Sequence, residues 1–280
     1  MNFSGFVDKH LVKLFGYILM FIVTVASLAP FLWIFVSSFK TNTEIFSDPF
    51  LIPSKISLKN YIDAIQISKL QLMYMNSIII SVTATLLSVA IFTMVAYVLG
   101  RYRFPGSTII FVILISSILI PSNAMIQPIY TVIRTLNLYD TKLGLILIYA
   151  AFGLPTALFV IKNYFENLPK ELEEAAEIEG AGFVTIFARI MLPLAKPAIA
   201  CSLTLIFIFS WNEFMYAMLM TSSTKSRTLP VALKYFTADF SFNNSALFAA
   251  VVMVVVPSII IYAILQNQII ESLVAGAVKG

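Results

Sequence analysis

The stretch from Pro169 to Leu194, "PKELEEAAEIEGAGFVTIFARIMLPL", decides how this chain is organised, because it is the most polar segment of an otherwise apolar sequence. Six of the 14 acidic residues of the chain lie between Glu166 and Glu179. Apolar blocks precede and follow it. A dense acidic segment between two apolar blocks indicates a membrane protein with one specialised connection.

The local sequence predicts two short helices in this segment. Pro169 suits the first turn of a helix, where a missing N–H costs nothing, and the glutamates after it lie at the positive end of the helix dipole. Gly180 and Gly182 are expected to end the first helix, since glycine readily adopts the left-handed cap conformation. A second helix is predicted from Phe183 to about Met191. Both helices are too polar and too short to cross a membrane.

The composition outside this segment is that of an integral membrane protein. Of the 280 residues, 60% are hydrophobic and 11% are charged, with a mean hydropathy of +0.93. Soluble domains carry about 25% charged residues. The net charge of +4 comes from basic residues scattered among short loops, as is usual at bilayer edges, and it does not indicate nucleic-acid binding.

The rare residue types exclude several kinds of site. Cys201 is the only cysteine, so an internal disulfide or a zinc site built on several cysteines is excluded. His10 is the only histidine, which argues against a histidine-based metal site or a serine–histidine triad. The sequence contains no G-x-x-x-x-G-K-[ST] phosphate loop. We therefore expect no catalytic residue, no metal ligand and no cofactor in this chain.

Six segments are long and apolar enough to span a bilayer, which takes roughly 20 residues. The predicted fold is an all-α polytopic membrane protein, a single transmembrane domain over residues 1–280, with the acidic loop 166–194 between the fourth and fifth spans. The predicted spans are 14–39, 75–99, 108–128, 143–161, 197–220 and 246–270.

The distribution of charge between loops does not determine the orientation by itself. An even number of spans places both termini on one side, and basic residues normally accumulate on the cytoplasmic side. The 18 Lys and Arg residues divide nine against nine between the two sides. The tight basic turn "GRYRFPG" at 100–106 favours cytoplasmic termini.

The spacing within the acidic segment resembles a known motif. Glu174-Ala175-Ala176 is followed after three residues by Gly180, and after nine more by Ile190-x-Leu192-Pro193. This pattern resembles the signature loop of ABC importer permeases, and the segment lies between two spans near the C-terminal end, as in that family.

The resemblance extends over nearly the whole chain. It includes Asn76-Ser77, "AYVLGRYRFPG" (96–106), "IPSNAMIQPIY" (120–130), "WNEF" (211–214) and "AGAVKG" (275–280). Together these are similar to the carbohydrate-uptake branch, specifically the second, six-span permease of maltose-type and multiple-sugar importers. The chain departs from the family pattern at Glu179, where aspartate is usual, and at Gly182, where serine is common.

The resemblance implies a function and a set of partners. The acidic segment would be the coupling helix that docks on an ATPase subunit at the cytoplasmic face, with both termini cytoplasmic, in a prokaryotic cell membrane. The implied partners are a second permease, two ATPase subunits that carry ATP and Mg, and an external sugar-binding protein. The residues that would couple to the ATPase are Glu171, Glu174, Ala175, Ala176, Gly180, Ile190, Leu192 and Pro193.

Polar residues inside the predicted spans are candidates for the substrate pathway, because each is costly unless it faces protein or water. Trp211, Asn212 and Glu213 could offer a sugar an aromatic face, an amide and a carboxylate. The alternative for this group is an interfacial aromatic anchor with a near-surface acid. Further candidates are Asn123, Gln127 and Asn76, for which hydrogen bonding between helices is the alternative.

Three other functions remain open at this level. A secondary transporter driven by an ion gradient should show ionisable pairs inside the membrane, and only Glu213 comes close. A membrane-bound binding or assembly subunit would not need the coupling segment. Within the family, a permease for a polyol or a glycerol phosphate ester is the runner-up, although a phosphate substrate should favour basic residues within the spans. The sequence does not identify the sugar or the partner permease.

Overall fold

The computed structural model describes residues 3–48, 52–236 and 243–277. Within these ranges the chain consists of helices and their connections, without a strand, which confirms the all-α prediction. The chain divides into two compact units, residues 1–68 with 233–253, and residues 69–232 with 254–280. The last three residues of the "AGAVKG" motif lie outside the described ranges.

The first unit begins with a long apolar helix. Its helices are α1 (Phe3–Ser37), α2 (Asn42–Ser47) and α3 (Lys59–Ser68). A capping box between Thr41 and Glu44 starts α2 and satisfies backbone N–H groups that a helix otherwise leaves unpaired. The ring of Trp33 contacts that of Phe248 edge-on, with centroids 5.2 Å apart.

The second unit holds most of the remaining helices. They are α4 (Leu70–Arg101), α5 (Ser107–Ser116), α6 (Ile126–Thr135), α7 (Lys142–Asn167), α8 (Glu171–Ile178), α9 (Phe183–Ile186), α10 (Leu192–Leu194), α11 (Lys196–Asn212), α12 (Met215–Met220) and α13 (Leu229–Ala232). A π-helical turn over Phe187–Met191 joins α9 to α10. The last helix, α14 (Asn244–Ala277), belongs in part to each unit.

The centre of the second unit is formed by α4, α7 and α11. Their contact faces carry small residues, which let helices approach closely in a membrane. Gly153 on α7 shows the fit, because a Cβ added there would lie 2.3 Å from the Ser88 Oγ of α4 and 3.0 Å from a methyl group of Ile206 on α11. Any larger residue at position 153 would therefore require the Ser88 and Ile206 side chains, or the helices that carry them, to shift.

Four helices are long and apolar enough to cross a membrane, over Val12–Ser37, Leu70–Arg101, Lys142–Asn167 and Asn244–Ile264. Two bent helix pairs raise the number to six if each counts as one span. The prediction of six spans agrees with the upper number, but the second bent pair joins α11 to Phe183–Leu194 of the acidic segment, which was predicted to lie outside the bilayer. The predicted third and fifth spans, however, are not the straight continuous helices expected from the sequence.

The predicted third span, 108–128, is broken in its middle. Ile120 is extended, with φ −85° and ψ 117°, because proline disfavours the helical conformation of the residue before it, and Pro121 follows. The segments Ser107–Leu119 and Ser122–Thr135 form an angle of 98°.

The predicted fifth span, 197–220, is also interrupted. Helix α11 ends at Asn212, Glu213 is extended with φ −66° and ψ 127°, and α12 begins at Met215. At its other end α11 follows the segment Phe183–Leu194 at a bend of 72°. No proline or glycine lies at the 213–214 break, so its cause has to be sought in tertiary contacts.

Candidate functional site

The acidic segment has the predicted helix and turn. Helix α8 runs over Glu171–Ile178, and Gly180 has φ +83°, the left-handed region in which glycine carries no Cβ penalty. The Ala181 N–H donates to the Ala176 carbonyl and the Gly180 N–H to the Glu177 carbonyl, both at 2.9 Å. These two bonds form a Schellman motif, so the prediction that Gly180 ends the helix is confirmed.

The residues expected to couple to an ATPase divide into exposed and buried members. Those with exposed positions are Glu171, Glu174, Ala175, Gly180 and Pro193. Ile190 and Leu192 are half-buried, and Ala176 is buried in a cluster with Ile186 and Met191. Ala176 thus packs against its own chain.

Two large apolar side chains of the segment are strongly exposed. Ile178 at the end of α8 is 87% exposed and Val184 on α9 is 73% exposed. With Glu171, Glu174 and Ala175 they form what we call the coupling surface. Exposed aliphatic side chains beside carboxylates, on a segment too polar for the bilayer, are typical of a surface that contacts another protein.

The acidic segment is tied to α4 by a buried ion pair. The Arg101 guanidinium donates to the Glu173 carboxylate through Nε and Nη2, and the two side chains are 2% and 13% exposed. Arg101 also donates to the carbonyls of Phe165, at 3.0 Å, and Leu168, at 2.7 Å. One guanidinium therefore holds the end of α7 and the beginning of α8 together, which we call the Arg101 clamp.

Tyr97, one turn before Arg101 on α4, extends this network. Its hydroxyl donates to Glu173 Oε1 at 2.8 Å. Its ring centroid lies 5.6 Å from that of Phe183 and 5.0 Å from that of Phe187, so both helices of the acidic segment pack on α4. Sequence analysis missed Tyr97, Arg101 and Glu173 as site residues, although the "GRYRFPG" motif contains Arg101 and follows Tyr97 closely.

Glu213 caps the helix after the break in the predicted fifth span. Its Oε1 accepts the Tyr216 N–H at 2.7 Å, and its Oε2 accepts the Ala217 N–H at 3.0 Å. The Tyr149 hydroxyl of α7 donates to Oε2 at 2.6 Å. The Tyr216 hydroxyl in turn donates to the Ser122 carbonyl at 2.6 Å, so Tyr216 connects the two helix breaks.

Trp211 and Asn212, next to Glu213, both contact α14. Trp211 is buried and its indole Nε1 donates to the Val254 carbonyl at 2.9 Å. Asn212 is exposed, and its Nδ2 lies 3.3 Å from Ser258 Oγ. Of the predicted trio, Asn212 is the exposed member, although its Nδ2 also donates to the Ile208 carbonyl at 2.8 Å.

Asn76 is fully buried on α4. Its Nδ2 donates to the carbonyls of Thr224 and Arg227, at 3.1 and 2.9 Å. These bonds fix the loop over residues 221–228. Asn123 and Gln127 occupy exposed positions shortly after the bend between α5 and α6, and both follow Ser122, whose carbonyl accepts the Tyr216 hydroxyl.

Asp140 holds the other side of the 221–228 loop. Its Oδ1 accepts the N–H groups of Ser222, at 2.9 Å, and Ser223, at 3.0 Å. Partial burial raises the pKa of the Asp140 carboxyl, but these hydrogen bonds outweigh it and lower the pKa to about 2. The loop is therefore fixed from α4 and from the connection between α6 and α7.

The chain matches a known family over most of its length. The family model described as "Binding-protein-dependent transport system inner membrane component" matches residues 93–271. The chain is 32% identical to the diacetylchitobiose uptake system permease protein of Streptomyces coelicolor, over 93% of this chain and 87% of the relative.

Two further relatives and one solved structure cover the chain almost completely. The trehalose transport system permease protein of Mycobacterium tuberculosis is 33% identical, over 91% of this chain and 93% of its own length. The trehalose/maltose transport system permease protein of Thermococcus litoralis is 34% identical, over 97% and 98%. A chain in the crystal structure of a bacterial ABC transporter that imports the acidic polysaccharide alginate superposes with a TM-score of 0.82 at 26% identity, over 93% of this chain and 97% of that chain.

Proposed function

This chain belongs to the family of inner membrane components of binding-protein-dependent transport systems, and from that premise we propose that it forms half of the translocation pathway of an ATP-driven carbohydrate importer. The chain is a transport permease and not an enzyme. ATP and Mg would bind to a separate ATPase. This chain would convert the hydrolysis of ATP by that subunit into opening of the pathway.

A carbohydrate is the substrate class that the comparisons favour. The relatives are named for uptake of diacetylchitobiose, trehalose and maltose, and the structural relative imports a polysaccharide. All of these are uncharged or acidic saccharides rather than ions or amino acids. We infer an oligosaccharide, delivered by an external sugar-binding protein.

The coupling surface supports the ATP-driven mechanism. Its carboxylates and aliphatic side chains project from α8 and α9, where an ATPase subunit would dock. Gly180 would give the turn between these helices the conformation that docking requires. Ile190, Leu192 and Pro193 would place the second half of the segment against the beginning of α11.

The Arg101 clamp explains how motion of a docked ATPase would reach the membrane helices. Glu173, Arg101 and Tyr97 join α8 to the end of α4 by hydrogen bonds in a buried setting. Helix α4 packs along α7 and α11. A displacement of α8 would therefore move these helices together, which is the rigid-body rocking that opens such pathways alternately to each face.

The pathway itself is proposed to include the exposed polar residues of the second unit. Asn212, Asn123 and Gln127 could hydrogen-bond sugar hydroxyl groups. Glu213, Trp211 and Asn76 would support the pathway indirectly in this conformation, since their polar atoms bond to neighbouring residues of the chain.

The proposed assembly follows from the family. It contains this permease, a second permease, two ATPase subunits and an external binding protein, in a prokaryotic cell membrane. The acidic segment would face the cytoplasm, together with both termini.

The observation that carries the proposal is the exposed coupling surface, combined with family membership. The test is purification of the chain from its native membrane in mild detergent, with quantitative mass spectrometry of its partners. We expect two copies of one ATPase and one further permease, and sugar uptake after reconstitution with the binding protein. Recovery without an ATPase would contradict the importer and favour a gradient-driven carrier. An intact complex that transports only polyols or glycerol phosphate would contradict the substrate class alone.

A further inference from the structure

A polar pocket of about 540 Å³ lies where the end of α4, the start of α5 and the end of α7 meet. It opens beside the Arg101 clamp and is separate from the coupling surface. Its lining is rich in basic and hydroxyl side chains and contains one carboxylate, Glu166. The basic and hydroxyl side chains are those of Arg101, Arg103, Lys162, Lys170, Tyr102, Ser107 and Thr108.

The charges of the pocket do not balance. The Arg101 guanidinium is matched by Glu173, and the Lys162 Nζ donates to Glu166 Oε1 at 2.7 Å. Arg103 and Lys170 are exposed, and neither forms an ion pair with another described residue. The pocket therefore has an excess of two positive charges, which favours an anionic ligand.

The first turn of α5 adds hydrogen-bond donors at the rim. Ser107 and Thr108 line the pocket. The Ser107 N–H already donates to the Phe104 carbonyl at 3.1 Å, and the N-cap residue Gly106 has no side chain to satisfy the N–H groups that follow. The N-terminus of this ten-residue helix contributes partial positive charge as well. Free N–H groups and hydroxyls next to two cations suit the oxygens of a phosphate group.

The surface beside the pocket is apolar. Ile109 and Ile113 on α5 are each 65% exposed, and Val112 is 51% exposed. The pocket itself includes the Phe111 ring, over which the Lys162 Nζ lies 4.3 Å from the centroid. An anionic head beside an exposed aliphatic strip matches a molecule with a phosphate group and hydrocarbon chains.

We propose that this pocket binds the phosphate headgroup of an anionic phospholipid in the leaflet on the side of α8. Arg103 and Lys170 supply the charge, α5 supplies N–H and hydroxyl donors, and the acyl chains lie along Ile109 and Ile113. Basic pockets between membrane helices bind lipid headgroups in this way. The bound lipid lies next to the Arg101 clamp without sharing the coupling surface.

The experiment is native mass spectrometry of the purified complex, titrated with phosphatidylglycerol or with phosphatidylcholine. We expect one tightly held phosphatidylglycerol per complex that the double variant Arg103→Gln/Lys170→Gln binds about twenty-five-fold more weakly, or about fivefold for each charge removed. Phosphatidylcholine binding should be the same for both proteins. The matched control is the double variant Lys55→Gln/Lys225→Gln, which removes the same number of charges. Both lysines are exposed and lie outside the pocket.

Several results would overturn the proposal. Equal phosphatidylglycerol affinity for the wild type and the double variant would show that the pocket does not bind the lipid. An equal loss of affinity in the control variant would show that the effect depends on overall charge and not on the pocket. Release of the lipid by millimolar inorganic phosphate, with phosphate retained, would keep the phosphate site but contradict a lipid as its ligand. Loss of the ATPase from the double variant would indicate a protein contact instead. The charge-conserving variant Arg103→Lys/Lys170→Arg should retain the lipid, which guards against misfolding as the cause.

Discussion

Gly180 shows how much one residue can determine in the coupling segment. Its φ of +83° lies in the left-handed region, which glycine adopts readily and which costs other residues about 1–2 kcal/mol. A Cβ added at Gly180 meets no atom within 4 Å, and the same is true at Gly182, whose φ is −76°. The two glycines therefore differ in backbone conformation alone, and not in available space.

Replacing Gly180 by leucine should uncouple ATP hydrolysis from uptake. The strained turn would relax and displace the coupling surface, so uptake per ATP hydrolysed should fall by roughly five- to thirty-fold, while the complex still assembles. The measurement is sugar uptake and ATPase rate in the same proteoliposomes. Gly182→Leu is the control and should retain coupling, as should Gly180→Asn, since asparagine tolerates the left-handed region. Equal coupling in Gly180→Leu and Gly182→Leu would contradict the role given to the turn.

At the scale of elements, two polar connections decide how helices are joined. The Arg101 clamp holds α8 on α4 and the end of α7. The Glu213 cap starts α12 after a break that contains neither proline nor glycine. Both are buried or half-buried arrangements of a charged group with several hydrogen-bond partners, for which loss of one partner is costly.

Arg101→Met should destabilise the acidic segment strongly. The substitution leaves the buried Glu173 carboxylate without its cation, at a cost of about 3 kcal/mol, and removes the donors to the Phe165 and Leu168 carbonyls. We expect a lower Tm of the purified complex and faster proteolysis within residues 169–194. The Tm of Arg101→Lys should lie between that of the wild type and that of Arg101→Met, because lysine keeps the charge but its ammonium group cannot reproduce the planar fork of guanidinium donors.

The control for the clamp is Arg189→Met, which removes the same charge from an exposed position of the same segment. Its Tm should stay near that of the wild type. Equal protease sensitivity of the Arg101 and Arg189 variants would show that α8 is held by other contacts.

Glu213→Gln and Tyr149→Phe should be coupled to each other. Each removes part of one hydrogen-bonded unit, so each should cost about 1–2 kcal/mol, and the double variant should lose less than the sum. The measurement is thermal unfolding together with the KM for sugar uptake. Tyr17→Phe, at a position that is 68% exposed, is the control for loss of a tyrosine hydroxyl. A raised KM for Glu213→Gln at an unchanged Tm would instead identify Glu213 as a substrate ligand.

At the scale of the whole molecule, the decisive feature is which side of the membrane each loop occupies. The acidic segment and the 221–228 loop are expected on opposite faces, since α11 runs between them. Cys201 is the only cysteine and is 1% exposed, so a cysteine-free background needs one substitution, Cys201→Ala.

Single cysteines in this background should report the orientation. Lys225→Cys should react with a membrane-impermeant maleimide in intact cells, because the 221–228 loop is proposed to face outward. Ile178→Cys should react only in inverted membrane vesicles from which the ATPase has been removed, since a docked ATPase would cover the coupling surface. The opposite labelling pattern would show that the chain has the reverse orientation, with the coupling surface on the side of the membrane that lacks the ATPase. Labelling of both residues in intact cells would contradict a span between them.

How far the sequence could be interpreted depended on the range of the interactions concerned. Local features were accessible, because a helix dipole, a proline at a first turn and a glycine cap involve neighbouring residues; α8 and the turn at Gly180 appeared as predicted. Pro121 was also a visible signal for the broken third span. It was ambiguous, since Pro30, Pro155 and Pro257 lie inside continuous helices.

By itself, the sequence determined the all-α membrane class, four of the apolar helices, the acidic segment and the family, because hydropathy, periodicity and motif spacing are properties of consecutive residues. Tertiary structure alone decided the partners of the polar side chains. Glu173 turned out to bind Arg101 across 72 positions of the chain, and Asn76 to bind carbonyls about 150 positions away. An unpaired charged or amide group is costly inside a membrane, and which partner such a group finds depends on helix packing that no local pattern specifies.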